Sequence, residues 1–346
     1  TPVVTVGALS DPDKMEEILA DGQADILALG RQLLADPYLP KKLAEGRADE
    51  VVCCLRCHEC FHAMMTRDDL QCTVNPSIGR ELRFQALKPP AVRKKLLIAG
   101  GGPAGMAAAI TAARRGHEVT LCEKSPQLGG ALGIMQGVYI KRQILRFLAH
   151  LENELYKLPV RVRLETEVNE AVINEEKPDV LFAAVGSEPA LPPIPGAGEP
   201  YVVQGARLNA SGVTGQKAVV IGGGLVGCEL AVELLQNGNT VTLLEMTDVL
   251  AAEAPHFHRV AMLECMKALE GVHTGMRVRE IRDNAVYAEN RDGETAIFPA
   301  DLVVLACGLR PNKALEAYRT LVPRYIPIGD CLHPAKIGDA VRQAVD

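Results

Sequence analysis

Twice along this chain a short apolar run stops at a trio of glycines and gives way to a longer apolar segment with helical spacing. The first instance is KLLIAGGGPAGMAAAITAARRGHEVTLCE, Lys95 to Glu123. Leu96 to Ala99 is continuously apolar, as a strand buried on both faces must be, and the Ala-rich stretch after the glycines reads as a helix closed by Gly116. Glu118 to Cys122 reads as a second buried strand, ending in Glu123. The second instance, KAVVIGGGLVGCELAVELLQNGNTVTLLE, repeats the pattern 122 positions later, with Gly222, Gly224, Gly227, Gly238 and Glu245 in the places of Gly100, Gly102, Gly105, Gly116 and Glu123. One strand-turn-helix-strand unit is thus used twice.

The remaining pattern arranges itself around these two units. TPVVTVG opens the chain as a strand. A helix follows from Asp11, a fitting N-cap with Pro12 in the first turn, to Gly22 at its C-terminal end. ADILALGR (Ala24 to Arg31) predicts another strand, with a short helix beginning near Leu33. Two strand-helix pairs cannot close a barrel, but they read as the last two units of one, with Gly7, Gly30 and Arg31 at strand ends where a phosphate would be bound. On this expectation the first six barrel units are missing; the alternative is a pair of βα units extending another sheet. The span from about Ile78 to Val92, with Pro89-Pro90, predicts a connector. Gln127 to Gly130 predicts a second close-approach turn, Gln143 to Lys157 a helix, and Val160 to Leu164 a strand of a small antiparallel layer. Asp179 to Gly186 predicts a buried strand with a Pro-rich exit to Pro195. The second unit occupies about Gly215 to Pro299. Asp301 to Gly308 repeats the strand-then-glycine pattern, and YIPIGD (Tyr325 to Asp330) precedes a helix over Asp339 to Val345.

The glycine trios have the G-x-G-x-x-G spacing. Such glycines permit a tight turn, close approach of backbone to a pyrophosphate and close helix-strand packing, while the helix N-terminus offers unpaired N–H groups to phosphate oxygens. The acid that ends the following strand is placed to accept from ribose hydroxyls. One such motif is weak evidence, but two matched ones imply two dinucleotide sites. The competing reading is a pair of buried glycine turns that bind nothing.

Bulk composition narrows the class. The chain has 346 residues, 48% hydrophobic and 23% charged, enough for two or three soluble domains. The net charge of -6 and the scattered basic residues argue against nucleic-acid binding. The apolar runs are Gly-interrupted and too short to span a bilayer, and no signal peptide opens the chain, so a cytoplasmic location is expected. Ten cysteines would suggest disulfides in a small secreted protein, but five of them fall between Cys53 and Cys72. Metal or cluster ligation is the better reading. In CCLRCHECFHAMMTRDDLQCTVNP, Cys54, Cys57 and Cys60 form one compact run and Cys72 returns from a distance. That set suits a 4Fe-4S cluster, whereas zinc more often takes two separated C-x-x-C pairs. Cys53 is a surplus thiol that could replace Cys54, and His58 and His62 are read as solvated.

These residues together carry a family resemblance. Gly100-x-Gly102-Pro103-Ala104-Gly105, the AAVGSEP turn at Gly186, the ACGLRPN turn at Gly308 and Gly329-Asp330 resemble the flavoproteins with two dinucleotide-binding domains. The Cys54/Cys57/Cys60/Cys72 set and GRQLLADP resemble a narrower group, the NADH-dependent flavin oxidoreductases of the old yellow enzyme superfamily. That group includes 2,4-dienoyl-CoA reductase, 2-enoate reductase and bile-acid-inducible enoate reductases, with trimethylamine dehydrogenase a cousin. The resemblance implies an α/β chain made of a C-terminal TIM-barrel remnant, a small cysteine-rich cluster segment and two Rossmann-like FAD- and NAD(P)H-binding domains. Its expected divisions are 1–50 for the remnant of the FMN barrel and 51–90 for the cluster segment and linker. An FAD domain over 91–205 and 301–346 would carry an inserted NADH domain over 206–300. FAD would sit on Gly100, Gly102, Gly105, Glu123, Gly130, Gly329 and Asp330, with Asp330 on the ribityl chain. NADH would sit on Gly222, Gly224, Gly227 and Glu245; an acid at 245 repels a 2'-phosphate and so favours NADH over NADPH. Gly7, Gly30 and Arg31 would hold the FMN phosphate, and the four cysteines the cluster. The sequence departs from the family in lacking most of the barrel and with it the proton donor, so no catalytic acid is named. It also has no cysteine between Ser125 and Met135, where disulfide reductases carry their reactive pair.

The activity implied is a relay. Hydride would pass from NADH to FAD, single electrons through the cluster to FMN, and the pair from FMN to an activated C=C of an enoate or enoyl thioester. The expected partner is a small unsaturated molecule, with no nucleic acid and no membrane, and a homo-oligomer is compatible with the sequence. Rival readings are an amine dehydrogenase of the trimethylamine dehydrogenase kind, an electron-input module like the glutamate synthase small subunit, and a redox sensor or zinc-stabilised module without turnover. With so little barrel, the fragment itself is expected to be inactive on alkenes while retaining diaphorase activity.

Overall fold

The computed structural model of the chain describes residues 1–66, 69–85, 89–134 and 142–346. Contacts divide these into two compact units: the described residues of Thr1–Gly133, Ile140–Gly186 and Pro311–Asp346 form one, and Ser187–Arg310 make up the body of the other.

The first unit opens with β1 (Val4–Val6), α1 (Pro12–Ala20) and β2 (Ile26–Ala28). β1 and β2 pair in parallel, with Val4 opposite Ile26 and Val6 opposite Ala28. Asp11 caps α1 by accepting from the Asp13 N–H, and the helix ends at Asp21, one residue before the left-handed Gly22. The second strand is shorter than the sequence predicts, because a strand lasts only where a neighbour takes its backbone hydrogen bonds and β1 offers three residues. The chain instead turns into α2 (Arg31–Ala35) and then α3 (Leu39–Ala44). α4 (Glu59–Thr66) follows an irregular stretch, and a single helical turn, α5 (Glu81–Gln85), lies within the expected connector.

Next come β3 (Lys95–Ala99), α6 (Pro103–Arg114), β4 (Glu118–Cys122), α7 (Arg142–Tyr156), β5 (Val160–Arg163), α8 (Glu170–Glu176) and β6 (Val180–Ala183). The second unit holds β7 (Ser187–Pro189), β8 (Val202–Gln204), β9 (Lys217–Ile221), α9 (Leu225–Gln236), β10 (Thr240–Leu244), α10 (His256–Met266) and β11 (Gly271–His273). It continues through β12 (Arg277–Arg282), β13 (Ala285–Glu289), β14 (Thr295–Pro299), β15 (Leu302–Leu305) and β16 (Leu309–Pro311). The chain then returns to the first unit as β17 (Arg324–Pro327) and α11 (Ile337–Val345).

The first unit is built on a parallel sheet of order β17-β6-β3-β4-β5. β5 was expected in an antiparallel layer; it is the parallel edge of this sheet, with Val160 opposite Val119. The cause is α7, which carries the chain back across the sheet so that the next strand runs the same way as the last. Leu97, Ile98, Leu121 and Leu181 are fully buried, and the alanines of α6 let that helix lie close over β3 and β4.

The second unit repeats the plan with the order β11-β10-β9-β15-β8, and adds an antiparallel sheet, β12-β13-β14. The repetition extends to single hydrogen bonds. Asp179 Oδ2 accepts from the Lys95 N–H at 2.8 Å, and Asp301 Oδ2 accepts from the Lys217 N–H at 2.9 Å. These bonds tie β3 to the start of β6 and β9 to the start of β15.

Candidate functional site

The two glycine turns lie at the C-terminal ends of β3 and β9, where the strand order of each parallel sheet reverses and α/β sheets bind their ligands. The three glycines of the first turn do different work. Gly100 has φ +108°, and a Cβ there would stand 2.3 Å from the Ala184 oxygen; at Gly105 it would stand 1.9 Å from the Gly100 oxygen. Both are demanded by packing. Gly102, the N-cap of α6, has ordinary backbone angles and nothing within 4 Å of where a Cβ would be. It keeps open a space above the helix N-terminus, which is the cradle a pyrophosphate needs.

The walls of this cradle come from several segments of the first unit. The Gln127–Gly130 turn folds onto the glycine loop: the Gly129 N–H donates to the Gly101 oxygen at 2.9 Å, and a Cβ on Gly130 would lie 3.2 Å from Gly102 Cα. Glu123 is 6% exposed; its Oε2 accepts from the Gly101 N–H at 2.7 Å and its Oε1 from the Ser125 N–H at 2.8 Å. Each oxygen keeps a second lone pair, so ribose hydroxyls can still be received. Gly329 approaches from the far end of the sequence. Its added Cβ would be 3.0 Å from that of Ala104, and its N–H donates to Gln343 Oε1 at 2.8 Å. Asp330 beside it accepts from the Ala335 N–H at 3.2 Å. Gly100, Gly102, Gly105, Glu123, Gly130, Gly329 and Asp330 are therefore brought together.

The second cradle gathers Gly222, Gly224, Gly227 and Glu245 in the same way. A Cβ on Gly222 would be 2.4 Å from the Ala306 oxygen and one on Gly227 would be 1.9 Å from the Gly222 oxygen. Glu245 accepts from the Gly223 N–H at 2.5 Å and the Thr247 N–H at 2.7 Å. One difference was not foreseen. α6 begins with Pro103, which has no N–H, whereas α9 begins with Leu225, whose N–H donates to Glu253 Oε1 at 2.6 Å. A carboxylate thus sits at the helix end where a pyrophosphate would dock. The sequence signal was modest: an acid just before the Pro255-His256 start of α10.

Back in the first unit, Cys54, Cys57, Cys60 and Cys72 line a single cavity, together with Arg31 and Thr73. Left-handed backbone at Arg56 (φ +57°) and His58 (φ +61°) coils the loop so that three cysteines turn inward. Cys57 Sγ lies 3.2 Å from Thr73 Oγ1. Burial pushes the Cys54 and Cys60 thiols up and that of Cys72 to about 11. Burial thus disfavours the thiolate form that a metal or cluster would need from them. Among the described residues no three His, Cys, Asp or Glu converge as one metal ion requires. Four thiols lining one cavity are the donor set of an iron-sulfur cluster, whose several irons each take one sulfur.

The segment carrying Cys54 is a strap with two faces. Val51 packs in the core formed by α1, α3 and neighbouring residues, and the Cys53 thiol, 8% exposed, lies 3.2 Å from the Ser10 oxygen to which it donates. Val52 and Cys54 pack against the core of the main sheet. Side chains that alternate along extended backbone point to opposite sides, and Cys53, on the far side, is absent from the cavity lining. The strap is held by α2: Gln32 Nε2 donates to the Val52 oxygen at 2.9 Å and Gln32 Oε1 accepts from the Cys54 N–H at 2.9 Å. Asp36 Oδ2 accepts from the Val52 N–H at 3.0 Å and pairs with Lys42 at 2.7 Å. GRQLLADP thus supplies braces for the cysteine loop, a role its sequence did not reveal. Gly7 (φ +127°) follows β1, and Gly30 caps α2 just past β2. Parallel pairing puts both at the same end of the two strands, while the Arg31 side chain faces the cysteine cavity.

Two cradles on a duplicated parallel-sheet plan define a two-dinucleotide-binding flavoprotein. Residues 94–328 match the family model for pyridine nucleotide-disulphide oxidoreductase, and residues 1–50 match that for the NADH:flavin oxidoreductase / NADH oxidase family. The chain belongs to the flavin oxidoreductases of the old yellow enzyme type that join these two parts. It is 41% identical over 351 residues to an NADH oxidase of Thermoanaerobacter brockii, covering 98% of this chain and 54% of that protein. It is 36% identical over 338 residues to a cinnamate reductase of Clostridium sporogenes, covering 95% of this chain and 50% of the other. Among solved structures, 2-naphthoyl-CoA reductase in complex with 2-naphthoyl-CoA superposes with a TM-score of 0.94 at 31% identity, over 100% of this chain and 53% of that one. The chain thus spans about half the length of these relatives. Among the described residues no helix is long and apolar enough to cross a membrane.

Proposed function

We propose that this chain is the electron-input part of an NADH-dependent flavin oxidoreductase that reduces an activated C=C, delivering electrons from NADH through FAD and a 4Fe-4S cluster to FMN. The observation that carries the reading is that four thiols wall one cavity in the same unit as the first glycine cradle. A flavin accepts a hydride and releases electrons singly, and a cluster conducts them one at a time; the chain's residues arrange for this. Gly102 leaves room for a pyrophosphate on the N–H groups of α6, Glu123 has lone pairs for a ribose, and Cys54, Cys57, Cys60 and Cys72 supply four sulfurs. Glu245 repels a 2'-phosphate and accepts from a free 2'-hydroxyl, which favours NADH over NADPH. The relatives named cinnamate reductase and 2-naphthoyl-CoA reductase support an unsaturated acid or thioester as substrate class. Amine dehydrogenation would run electrons outward and leave the second cradle without a use.

The test is anaerobic reconstitution of the chain with FAD, iron and sulfide. About four irons and four acid-labile sulfides per chain are expected, and NADH should then bleach the flavin and after it the cluster absorbance. A cluster spectrum that never responds while the flavin is reduced rejects the relay. Steady-state preference for NADPH rejects the nicotinamide assignment.

A further inference from the structure

Among the described residues Arg31 is the only arginine or lysine that lines the cysteine cavity, and its Nη1 is buried without a hydrogen-bond partner. An orphaned guanidinium nitrogen beside four cysteine sulfurs is costly, because a buried charged donor needs an acceptor or a counter-charge. Among the described residues Nη1 has no hydrogen-bond acceptor. A cluster held by four thiolates provides both: its overall charge is negative, and its sulfurs accept hydrogen bonds.

We propose that Arg31 sets the reduction potential of the cluster, its guanidinium donating from Nη1 to a cluster or cysteine sulfur. The assignment rests on the proposed function insofar as the cavity holds an iron-sulfur cluster. One electron enters the cluster and its charge becomes more negative by one. A fixed positive charge and an N–H donor at the sulfurs stabilise that reduced form more than the oxidised one, so they raise the potential. This gives Arg31 a role distinct from contact with the FMN phosphate. Because α2 also carries the Gln32 and Asp36 braces, the guanidinium and the strap bearing Cys54 are fixed by the same short helix.

The experiment uses this chain reconstituted with iron and sulfide in the absence of FMN, so that no shift can arise through that flavin. Wild type, Arg31→Gln and Arg31→Lys are compared by iron and sulfide content and by a redox titration of the cluster followed by EPR. In Arg31→Gln the reduced-to-oxidised ratio at a fixed potential should fall about tenfold, a shift of about 59 mV for one electron. Arg31→Lys, which keeps the charge but loses the planar fork, should shift in the same direction by less. An unchanged or raised midpoint in a fully loaded Arg31→Gln protein overturns the assignment. If that variant does not retain its cluster, the lysine variant decides: a lowered midpoint supports the assignment and an unchanged one overturns it. A wild-type chain that takes up no iron and sulfide rejects the cluster itself, and with it the proposed function, which is a different failure.

Discussion

At the scale of single residues the two halves of a G-x-G-x-x-G motif separate into those the fold needs and those a ligand needs. Gly105→Ala would drive a methyl to 1.9 Å from a backbone oxygen, so loss of soluble folded protein is expected, at or beyond the upper end of the about 1–3 kcal/mol typical of overpacking. Gly102→Ala meets nothing in the protein and should fold with unchanged thermal stability, yet lose FAD binding in a fluorescence titration, because its methyl occupies the cradle. Glu253 provides a second contrast. Its carboxylate claims the Leu225 N–H, so removing the charge by Glu253→Gln should strengthen NADH binding about two- to tenfold in a direct titration, in keeping with the worth of a charge at a helix end. Weaker binding would mean that Glu253 helps to hold the nucleotide. The glycines were legible in the sequence because their demands are local, whereas the placement of Glu253 and of the Arg31 guanidinium depends on how loops fold back. No spacing rule encodes that.

At the scale of elements, the strands and helices of the two repeated units were legible almost to the residue, since continuous apolar runs and glycine stops leave little freedom. VRVR at Val160–Arg163 misled, because its alternation is that of any half-exposed strand, and the direction was set by α7. The most consequential element was the least legible. α2 is only five residues long, yet Gln32 holds two backbone groups of the cysteine strap. Gln32→Ala leaves the Val52 oxygen and Cys54 N–H without these partners, at about 1–3 kcal/mol per group once buried. A melting temperature lower by several degrees and reduced iron content on reconstitution are expected. Wild-type iron retention would show that the cysteine loop holds its shape unaided.

At the scale of the whole molecule, the duplication was visible in the sequence, and each unit has its own buried cores. Two such units have the means to unfold separately. Calorimetry should resolve two transitions, with FAD raising one and NADH the other. Each ligand should contribute about 2.7 kcal/mol at a hundred times its Kd. A single transition moved equally by both ligands would show the units to be one cooperative body.

The Cys53 thiol has a consequence for anyone who alters its neighbour. Two adjacent sulfhydryls invite the thought that one can stand in for the other, as a backup ligand would. Committed to the Ser10 oxygen on the reverse side of the strap, Cys53 could reach the cysteine cavity only by rotating the backbone and dragging Val51 out of its core. Cys54→Ser should therefore yield a three-sulfur site whose EPR signature is that of a cluster short of one iron, while a Cys53→Ser protein keeps the complete one.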